Sequence, residues 1–331
     1  MLIDSFLFFQ ELDLLEIRLE YLSPYIDKFI IVESCQTFKG EKKAYNFEIN
    51  KKRFEKYLKK IIYYKIDSFF EDSFSLINSI SKNKEELFIY DFLKKHDYYE
   101  KHEFHFLLDS YHRECIHIPL KGFANDKDTI IFSDLDEIPN INFIKHLKSE
   151  KYLNQLLVAN QFEFKYFLNS FSSENWLGSI AGKYYELKNE SLNLLRKNSY
   201  KLEKYNLGGY HFTSIGGEKL LKLKIENWGH QEFNIPIIKK NIHKNINFGK
   251  DVFYRFGVKK NILINLKINK LFDERITRIL DKYNNLIIKN FKKESIIDIY
   301  EYRLVQIFIY SRRIIKEPLK AILKIKKLFK I

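Results

Sequence analysis

The apolar and polar positions at the amino terminus follow two different periods. Residues 6–9 are a short apolar run of the kind that forms a buried strand. Residues 11–22 carry leucines at spacings of three and four, which predicts an amphipathic helix. A second apolar run covers residues 29–32, just after Pro24. Strand, helix and strand in this order predict a βαβ unit with parallel strands and a right-handed crossover.

The rest of the pattern extends this unit into one α/β domain. Further strands are predicted over residues 60–66, 129–132, 156–168, 184–187 and 210–213, and helices over residues 84–118 and 141–147. From about residue 238 the pattern becomes helical and basic. No internal repeat and no Gly/Ser/Pro linker interrupts it. The sequence therefore predicts an α/β domain over residues 1–235, followed by a helical, basic carboxyl-terminal extension over residues 236–331.

Two carboxylates stand where the strand over residues 129–132 ends. In a strand that continues through this stretch, Asp134 and Asp136 project to one side while Leu135 points into the protein. Like charges this close raise each other's proton affinity unless a cation lies between them. Mg²⁺ and Mn²⁺ suit such a site, because they prefer oxygen ligands and keep coordination positions open for the phosphates of a substrate. The alternative is a strand that runs into an acidic surface turn.

The net charge of +14 requires a polyanionic neighbour, such as nucleotide phosphates, nucleic acid or an anionic membrane. Half of that excess lies in residues 312–331, which carry eight basic residues and one acid. Apolar residues interleave with these charges, which favours an interfacial helix on an anionic membrane, with a solvated helix or a dimer seam as alternatives. No RNA-reading motif is present, so we expect no nucleic-acid partner. Two cysteines without a C-x-x-C pattern, no secretory signal and no spanning segment predict a soluble, cytoplasmic protein.

The loop after the second strand contains a carboxylate, Glu33, a hydroxyl, Thr37, and a cation, Lys39. Ligands of open α/β sheets bind at this end of the strands, so these groups could hold the base and ribose of a nucleotide. An ordinary polar loop would have the same composition.

Four ordered motifs resemble glycosyltransferase family 17, which includes the enzymes that add bisecting N-acetylglucosamine to N-glycans. The motifs are Glu11-Leu12-Asp13-Leu14-Leu15-Glu16-Ile17-Arg18-Leu19, Val32-Glu33-Ser34 with Thr37-Phe38-Lys39-Gly40, Ser133-Asp134-Leu135-Asp136-Glu137-Ile138-Pro139, and Gly209-Tyr210-His211-Phe212 with Lys219 or Lys222 and His230-Gln231-Glu232. Tyr210 replaces the tryptophan of the family. The resemblance covers roughly residues 4–235. It implies a GT-A-like (Rossmann-like) fold, a sugar-nucleotide donor, a divalent metal and inversion at the anomeric carbon.

The resemblance also implies roles for single residues. His211 is expected to join Asp134 and Asp136 as a ligand of Mn²⁺ or Mg²⁺, with His230 as the alternative ligand, and an imidazole favours manganese. Asp134 is expected to contact the donor as well. Arg113 stands where the family carries an arginine, and its fork could pair with the donor diphosphate, or it could be a solvated helix charge.

Inverting transfer needs a base for the acceptor hydroxyl. The candidates are Glu232, Glu174 and Glu137, with Glu232 preferred and Glu137 expected to orient the signature loop. Trp176 could offer a flat face to an acceptor sugar.

Together these features predict an inverting, metal-dependent glycosyltransferase. The donor that the resemblance implies is UDP-N-acetylglucosamine, and the acceptor is expected to be a glycan or glycolipid, as in bacterial surface glycans or lipid-linked oligosaccharides. Two alternatives stay open. One is a nucleotidyltransferase on a similar sheet, and the other is a basic nucleic-acid-binding protein.

Overall fold

The structure is a computed structural model that describes residues 1–95, 103–149 and 155–316. The strands are β1 Leu2–Leu7, β2 Lys28–Ser34, β3 Ile61–Ile66, β4 Thr129–Asp134, β5 Glu137–Pro139, β6 Leu157–Lys165, β7 Ser170–Lys183, β8 Glu203–Thr213 and β9 Ile262–Leu263. The helices are α1 Leu12–Leu22, α2 Asn46–Ile49, α3 Ser73–Lys82, α4 Leu87–Lys94, α5 Phe104–Glu114, α6 His117–Phe123, α7 Ile141–Leu147, α8 Tyr184–Leu187, α9 Leu192–Lys197, α10 Gly217–Asn227, α11 Pro236–Asn247, α12 Glu274–Leu280 and α13 Ile296–Lys316. Short 3-10 segments cover Lys51–Lys60, Ser199–Lys201, Gln231–Phe233 and Asn284–Leu286.

All nine strands belong to one mixed sheet. Its order is β3-β2-β1-β4-β7-β6-β8-β5, and β9 pairs with β7. Strands β1, β2, β3 and β4 run parallel, as the βαβ pattern predicts, while β7 is antiparallel to both β4 and β6. The predicted α/β class, a mixed sheet flanked by helices, is confirmed, and its assignment as GT-A-like stays a prediction.

Strands β4 and β5 are separated by only two residues along the chain, yet three strands lie between them in the order of the sheet. A link of two residues spans only about 10 Å. The sheet must therefore curl until β5, at its far end, returns to the end of β4. This curl brings β8, the partner of β5, close to the predicted acidic pair.

The two faces of the sheet carry separate apolar cores. Alternate residues of β2 point to opposite sides, with Phe29 and Ile31 in one core and Ile30 and Val32 in the other. A third cluster joins α10, α11 and α13. Burial on both faces explains why β2 is a continuous apolar run rather than an alternating one.

Several predicted elements differ from the observed ones. Residues 184–187 form a helix, α8, so the predicted strand is wrong. The long strand β7 was not predicted, since Ser, Glu and Asn interrupt its apolar pattern. The division at residue 235 stays a prediction, although β9 belongs to the main sheet. Residues 317–331, most of the predicted membrane segment, lie outside the described residues. No helix in the described ranges combines the length and apolar character needed to cross a membrane.

Candidate active site

The two carboxylates of the signature lie at a tight turn, not along a continuous strand. Strand β4 ends at Asp134, Leu135 and Asp136 form the turn, and Glu137 begins β5. The expected alternation along one strand is therefore wrong, although Leu135 is buried as predicted. Both carboxylates nevertheless line one cavity of about 570 Å³. The cavity opens at the carboxyl ends of β1, β2 and β4, where open α/β sheets bind ligands.

A fully buried arginine lies beneath this turn. The Arg18 Nη1 atom donates to the carbonyl oxygens of Asp134, Leu135 and Glu137 at 3.0, 3.0 and 2.9 Å. Its Nε and Nη2 atoms form a bidentate pair with Asp4 at 2.8 and 2.6 Å, and Nη2 also donates to Ser133 Oγ. A planar guanidinium can serve this many acceptors, whereas a lysine ammonium cannot. Arg18 therefore fixes the backbone that presents both carboxylates.

Glu137 holds the turn from its side-chain end. Its carboxylate accepts hydrogen bonds from the Asp134 backbone N–H at 3.0 Å and from Trp176 Nε1 at 2.8 Å. Arg196 donates to both of its oxygens, at 2.7 and 2.8 Å. Glu137 has no exposed side-chain surface, and these contacts hold the backbone of the turn. Its expected role of orienting this loop stays a prediction.

Two guanidinium groups face Asp134. Arg196 Nη2 lies 2.9 Å from one carboxylate oxygen, and Arg113 Nη2 lies 3.4 Å from the other. Burial alone would raise the pKa of Asp134, but these two charges outweigh it and hold the pKa below its usual value. Burial opposes the charge of Arg196 as well, and its acidic neighbours Asp134 and Glu137 raise its pKa. No feature of the sequence singled out Arg196.

Asp136 faces an imidazole and an ammonium. Its Oδ1 lies 3.6 Å from His211 Nε2, and its Oδ2 lies 3.6 Å from Lys224 Nζ. Burial would raise the pKa of Asp136, but the charges of His211 and Lys224 lower it. Burial disfavours the charge of Lys224, yet Asp136 and Glu11 raise its pKa. The resemblance matches the family lysine to Lys219 or Lys222, but both of these are exposed. The lysine of this helix that lines the cavity is Lys224.

His211 reaches the acid pair through the pairing of β8 with β5. Its backbone lies opposite Glu137, two residues after Gly209. A Cβ atom at Gly209 would lie 2.4 Å from the Ile138 carbonyl oxygen, so only glycine allows this approach. The ring of Trp176 stacks on His211, with centroids 4.2 Å apart and an angle of 21°. One face of Trp176 is therefore covered, and the indole still lines the cavity.

The donor set around Asp136 fits a divalent metal that completes its shell with substrate oxygens. A carboxylate oxygen and an imidazole nitrogen 3.6 Å apart can share one ion. His211 Nδ1 is buried and has no hydrogen-bond partner among the described residues. It lies 3.9 Å from Glu163, which is where a carboxylate that orients a metal-bound histidine would lie. Among the described residues, however, no three His, Cys, Asp or Glu side chains form a metal-holding group. Asp134 contacts two arginines instead.

The opposite wall of the cavity is apolar and aromatic. It includes Phe9, Phe38 and Val32, and Phe9 stacks on Phe38 with centroids 6.3 Å apart. His112 packs against Phe38, and no group in the described part of the chain forms a hydrogen bond with its buried Nε2. Burial, with the nearby charges of Lys43 and Arg113, lowers the pKa of His112 to about 3, so this histidine is neutral. Sequence analysis did not identify this wall, because its residues come from segments far apart in the chain.

Five predicted site residues lie outside the described lining of the cavity, which does not include Glu33, Thr37, Lys39, Glu174 or Glu232. Glu33 is buried and accepts hydrogen bonds from Lys43, Tyr63 and the first backbone N–H groups of α2.

Of the other four, Thr37 is buried, whereas Lys39, Glu174 and Glu232 are exposed. Thr37 accepts from the Glu41 backbone, and Lys39 pairs with the Glu41 carboxylate. Glu174 is exposed on β7. Glu232 is exposed too, and its Oε1 lies 3.0 Å from Nδ1 of His230, which does line the cavity.

The fold and the cavity together define an α/β protein with an acidic and basic site at the carboxyl ends of its parallel strands. Residues 1–84 match the model of glycosyltransferase family 17. The predicted resemblance to this family is therefore confirmed over those residues. The signature turn and the His211 motif lie beyond the matched stretch. A glycosyltransferase moves a sugar from a donor to an acceptor glycan.

No curated protein matches the chain. One solved structure that is similar is the inositol-1-phosphate CTP transferase from T. maritima, at 10% identity and a TM-score of 0.30. The match covers 64% of this chain and 85% of that one. A likeness this distant assigns neither a fold nor a function.

Proposed function

We propose that the chain is an inverting, metal-dependent glycosyltransferase that moves N-acetylglucosamine from UDP-N-acetylglucosamine to a glycan hydroxyl. The observation that carries this proposal is the cavity beside the β4–β5 turn, where Asp134 and Asp136 meet Arg113, Arg196 and Lys224. The cations of this site can bind an anionic ligand, and its carboxylates can bind a divalent metal. The site therefore suits a ligand that is anionic and that binds such a metal. A sugar nucleotide has both properties, since its diphosphate is such a metal-binding anion.

The donor is oriented by two unlike walls. The guanidinium groups of Arg113 and Arg196 and the ammonium of Lys224 attract the diphosphate, and a guanidinium fork matches phosphate oxygens bidentately. The apolar side, with Phe9, Phe38 and neutral His112, suits a nucleobase, which needs a flat apolar surface and a few polar contacts. The choice of uracil and of N-acetylglucosamine follows the family resemblance.

Asp136 and His211 are the residues that would hold Mn²⁺ or Mg²⁺, with Glu163 behind the histidine. When bound, the ion supplies Lewis-acid stabilisation of the charge on the departing diphosphate. Arg196 and Arg113 keep Asp134 ionised, and Glu137 fixes its backbone beside this position, so the turn need not reorganise as the donor binds.

The acceptor hydroxyl requires a base on the open side of the cavity. His230 lines the cavity, and its Nδ1 is hydrogen-bonded to Glu232. We infer that Glu232, the carboxylate predicted as the base, acts through His230, which takes the proton while Glu232 orients the ring. Glu174, close in sequence to Trp176, is the alternative base. The exposed edge of Trp176 would contact the acceptor sugar.

The acceptor class is a bacterial surface glycan or a lipid-linked oligosaccharide, reached from the cytoplasm. This part of the proposal rests on the resemblance and on the charge of residues 312–331.

Thermal unfolding with UDP-, GDP- and CMP-sugars, each with and without Mn²⁺, tests the donor and the metal together. Only a ligand that binds the folded chain raises the midpoint, and the proposal expects UDP-N-acetylglucosamine with Mn²⁺ to give the largest rise. The variant Asp136→Asn should lose the part of the rise that depends on Mn²⁺, whereas Asp126→Asn, at an exposed surface pair, should keep it.

Product analysis completes the test. Release of UDP together with transfer of the sugar supports the proposal. Release of pyrophosphate would identify a nucleotidyltransferase instead. A midpoint that no sugar nucleotide changes, with or without the metal, would overturn the proposal.

A further inference from the structure

Helix α13 has two apolar faces, and the described residues pack on only one of them. Val305 and Ile309 belong to the cluster that α13 shares with α10 and α11, and Tyr302 stacks on Tyr254 with centroids 4.6 Å apart. The opposite face carries six large apolar side chains that are between 53% and 73% exposed: Ile296, Ile297, Tyr300, Leu304, Ile307 and Phe308. We call these six residues the α13 stripe.

The residues of the α13 stripe are spaced so that they form one continuous row on the helix. Ile297, Tyr300, Leu304 and Ile307 are three or four residues apart, so their side chains lie above one another along one side of the helix. The stripe extends for about 18 Å at 1.5 Å per residue. Single exposed apolar residues need no explanation, but a contiguous row of this kind marks a surface that something covers.

A neighbouring loop adds to the same surface. Phe256 and Val258 are 49% and 36% exposed at the tip of this loop, and the ring of Phe256 packs edge-on against Tyr310 of α13. Lys259 and Lys260 follow directly. Aromatic and aliphatic side chains next to lysines are the composition of segments that enter the headgroup region of a membrane.

Charge decides between the possible occupants. The chain continues from the stripe into residues 312–331, whose net charge is +7. A second copy packed in parallel on the stripe would bring two such segments together, which their mutual repulsion opposes. An anionic lipid surface attracts both segments and also takes up the apolar side chains. We propose that the α13 stripe and the loop carrying Phe256 and Val258 form a docking face for an anionic membrane surface.

The docking face is connected to the wall of the cavity. Val305 and Ile309 of α13 pack in the same cluster as Phe253, and Phe253 stacks on Trp228 with centroids 5.2 Å apart. Trp228 lines the cavity. A chain bound through α13 would thus hold the cavity at a fixed distance from the lipid surface, where a lipid-linked acceptor would be presented. The docking itself does not depend on the proposed donor or metal.

Co-sedimentation of the full chain with vesicles tests this proposal. Two vesicle types are compared: phosphatidylglycerol mixed with phosphatidylcholine, and phosphatidylcholine alone. The stripe variant is Leu304→Gln with Ile307→Gln, which changes no charge and keeps good helix formers. The matched control is Phe74→Gln with Ile268→Gln, two side chains that are each 79% exposed elsewhere. Far-UV circular dichroism and the thermal midpoint confirm that both variants fold.

The unaltered chain and the control should bind the anionic vesicles, less tightly as salt is raised, and the stripe variant should bind at least about tenfold more weakly. Equal binding by the stripe variant and the control would overturn the proposal.

Two further results would also overturn it by identifying another occupant. One is a dimer in light scattering without lipid that the stripe variant converts to a monomer. The other is a gain in binding of a hydrophobic dye when Ile322→Gln and Leu323→Gln are introduced together, because this would mean that the chain's own end covers the stripe.

Discussion

Replacing Arg18 by lysine tests whether the buried guanidinium beneath the β4–β5 turn sets up the site. The substitution keeps the positive charge but replaces a planar fork of five N–H donors by three donors on a point charge. Arg18 contacts Asp4, Ser133 and three backbone carbonyls, and its side chain has no exposed surface. A lysine cannot reach all of these acceptors, so several stay buried without a donor.

The expected cost follows from those contacts. Each buried acceptor left without a partner costs about 1–3 kcal/mol, and breaking a buried ion pair costs about 3–5 kcal/mol. We therefore expect Arg18→Lys to lower the free energy of unfolding by about 3–5 kcal/mol. Native proteins have about 5–15 kcal/mol in total, so the variant should fold and melt roughly 10 °C lower. A displacement of the turn by about 1 Å should also reduce kcat by about a hundredfold.

Thermal unfolding and steady-state transfer, measured well below the lower midpoint, separate these two effects. Arg53→Lys is the matched control, because Arg53 pairs with Asp13 and Glu16 on the same helix α1 but at the surface, with 32% of its side chain exposed. Such a pair is worth about 0–1 kcal/mol, so the control should stay near the unaltered chain. Equal midpoints and equal kcat for the two variants would refute the role given to Arg18.

Three further predictions concern the walls of the cavity and the pairing of β8 with β5 beside it. Arg196→Lys should lose the bridge to Glu137 and raise the donor KM by about tenfold, while the midpoint falls by only a few degrees; an unchanged KM would contradict the role given to this arginine. His112 stays neutral down to about pH 3, whereas its unfolded form takes up a proton below about pH 6.5, so stability should fall with the pH through this window. In urea unfolding, His112→Gln should remove about 2 kcal/mol of the loss seen between about pH 7 and pH 5, and an unaltered pH profile would contradict this. Gly209→Ala should destabilise the chain by about 1–3 kcal/mol because the added Cβ meets the Ile138 carbonyl, and a midpoint equal to that of the unaltered chain would show that β8 can move away from β5.

The local periods of the sequence were sufficient for much of the fold. Strands β2, β3 and β4 and helices α1 and α7 follow from apolar runs and helical spacing, because these patterns depend on neighbours along the chain. The strand β7 and the helix α8 did not follow, since both depend on pairing and packing with distant segments. The acid pair was found because its residues adjoin an apolar run.

What the sequence by itself determined is the α/β class, the family resemblance over residues 1–84 and the acidic pair, which are all encoded in contiguous residues. Only the tertiary structure decided which cations face that pair. Arg196 and Lys224 lie about sixty and ninety residues beyond the carboxylates that they contact, and His211 reaches Asp136 because the sheet curls until β5 pairs with β8. The energy of such contacts depends on distance in space, and the order and register of the strands fix that distance.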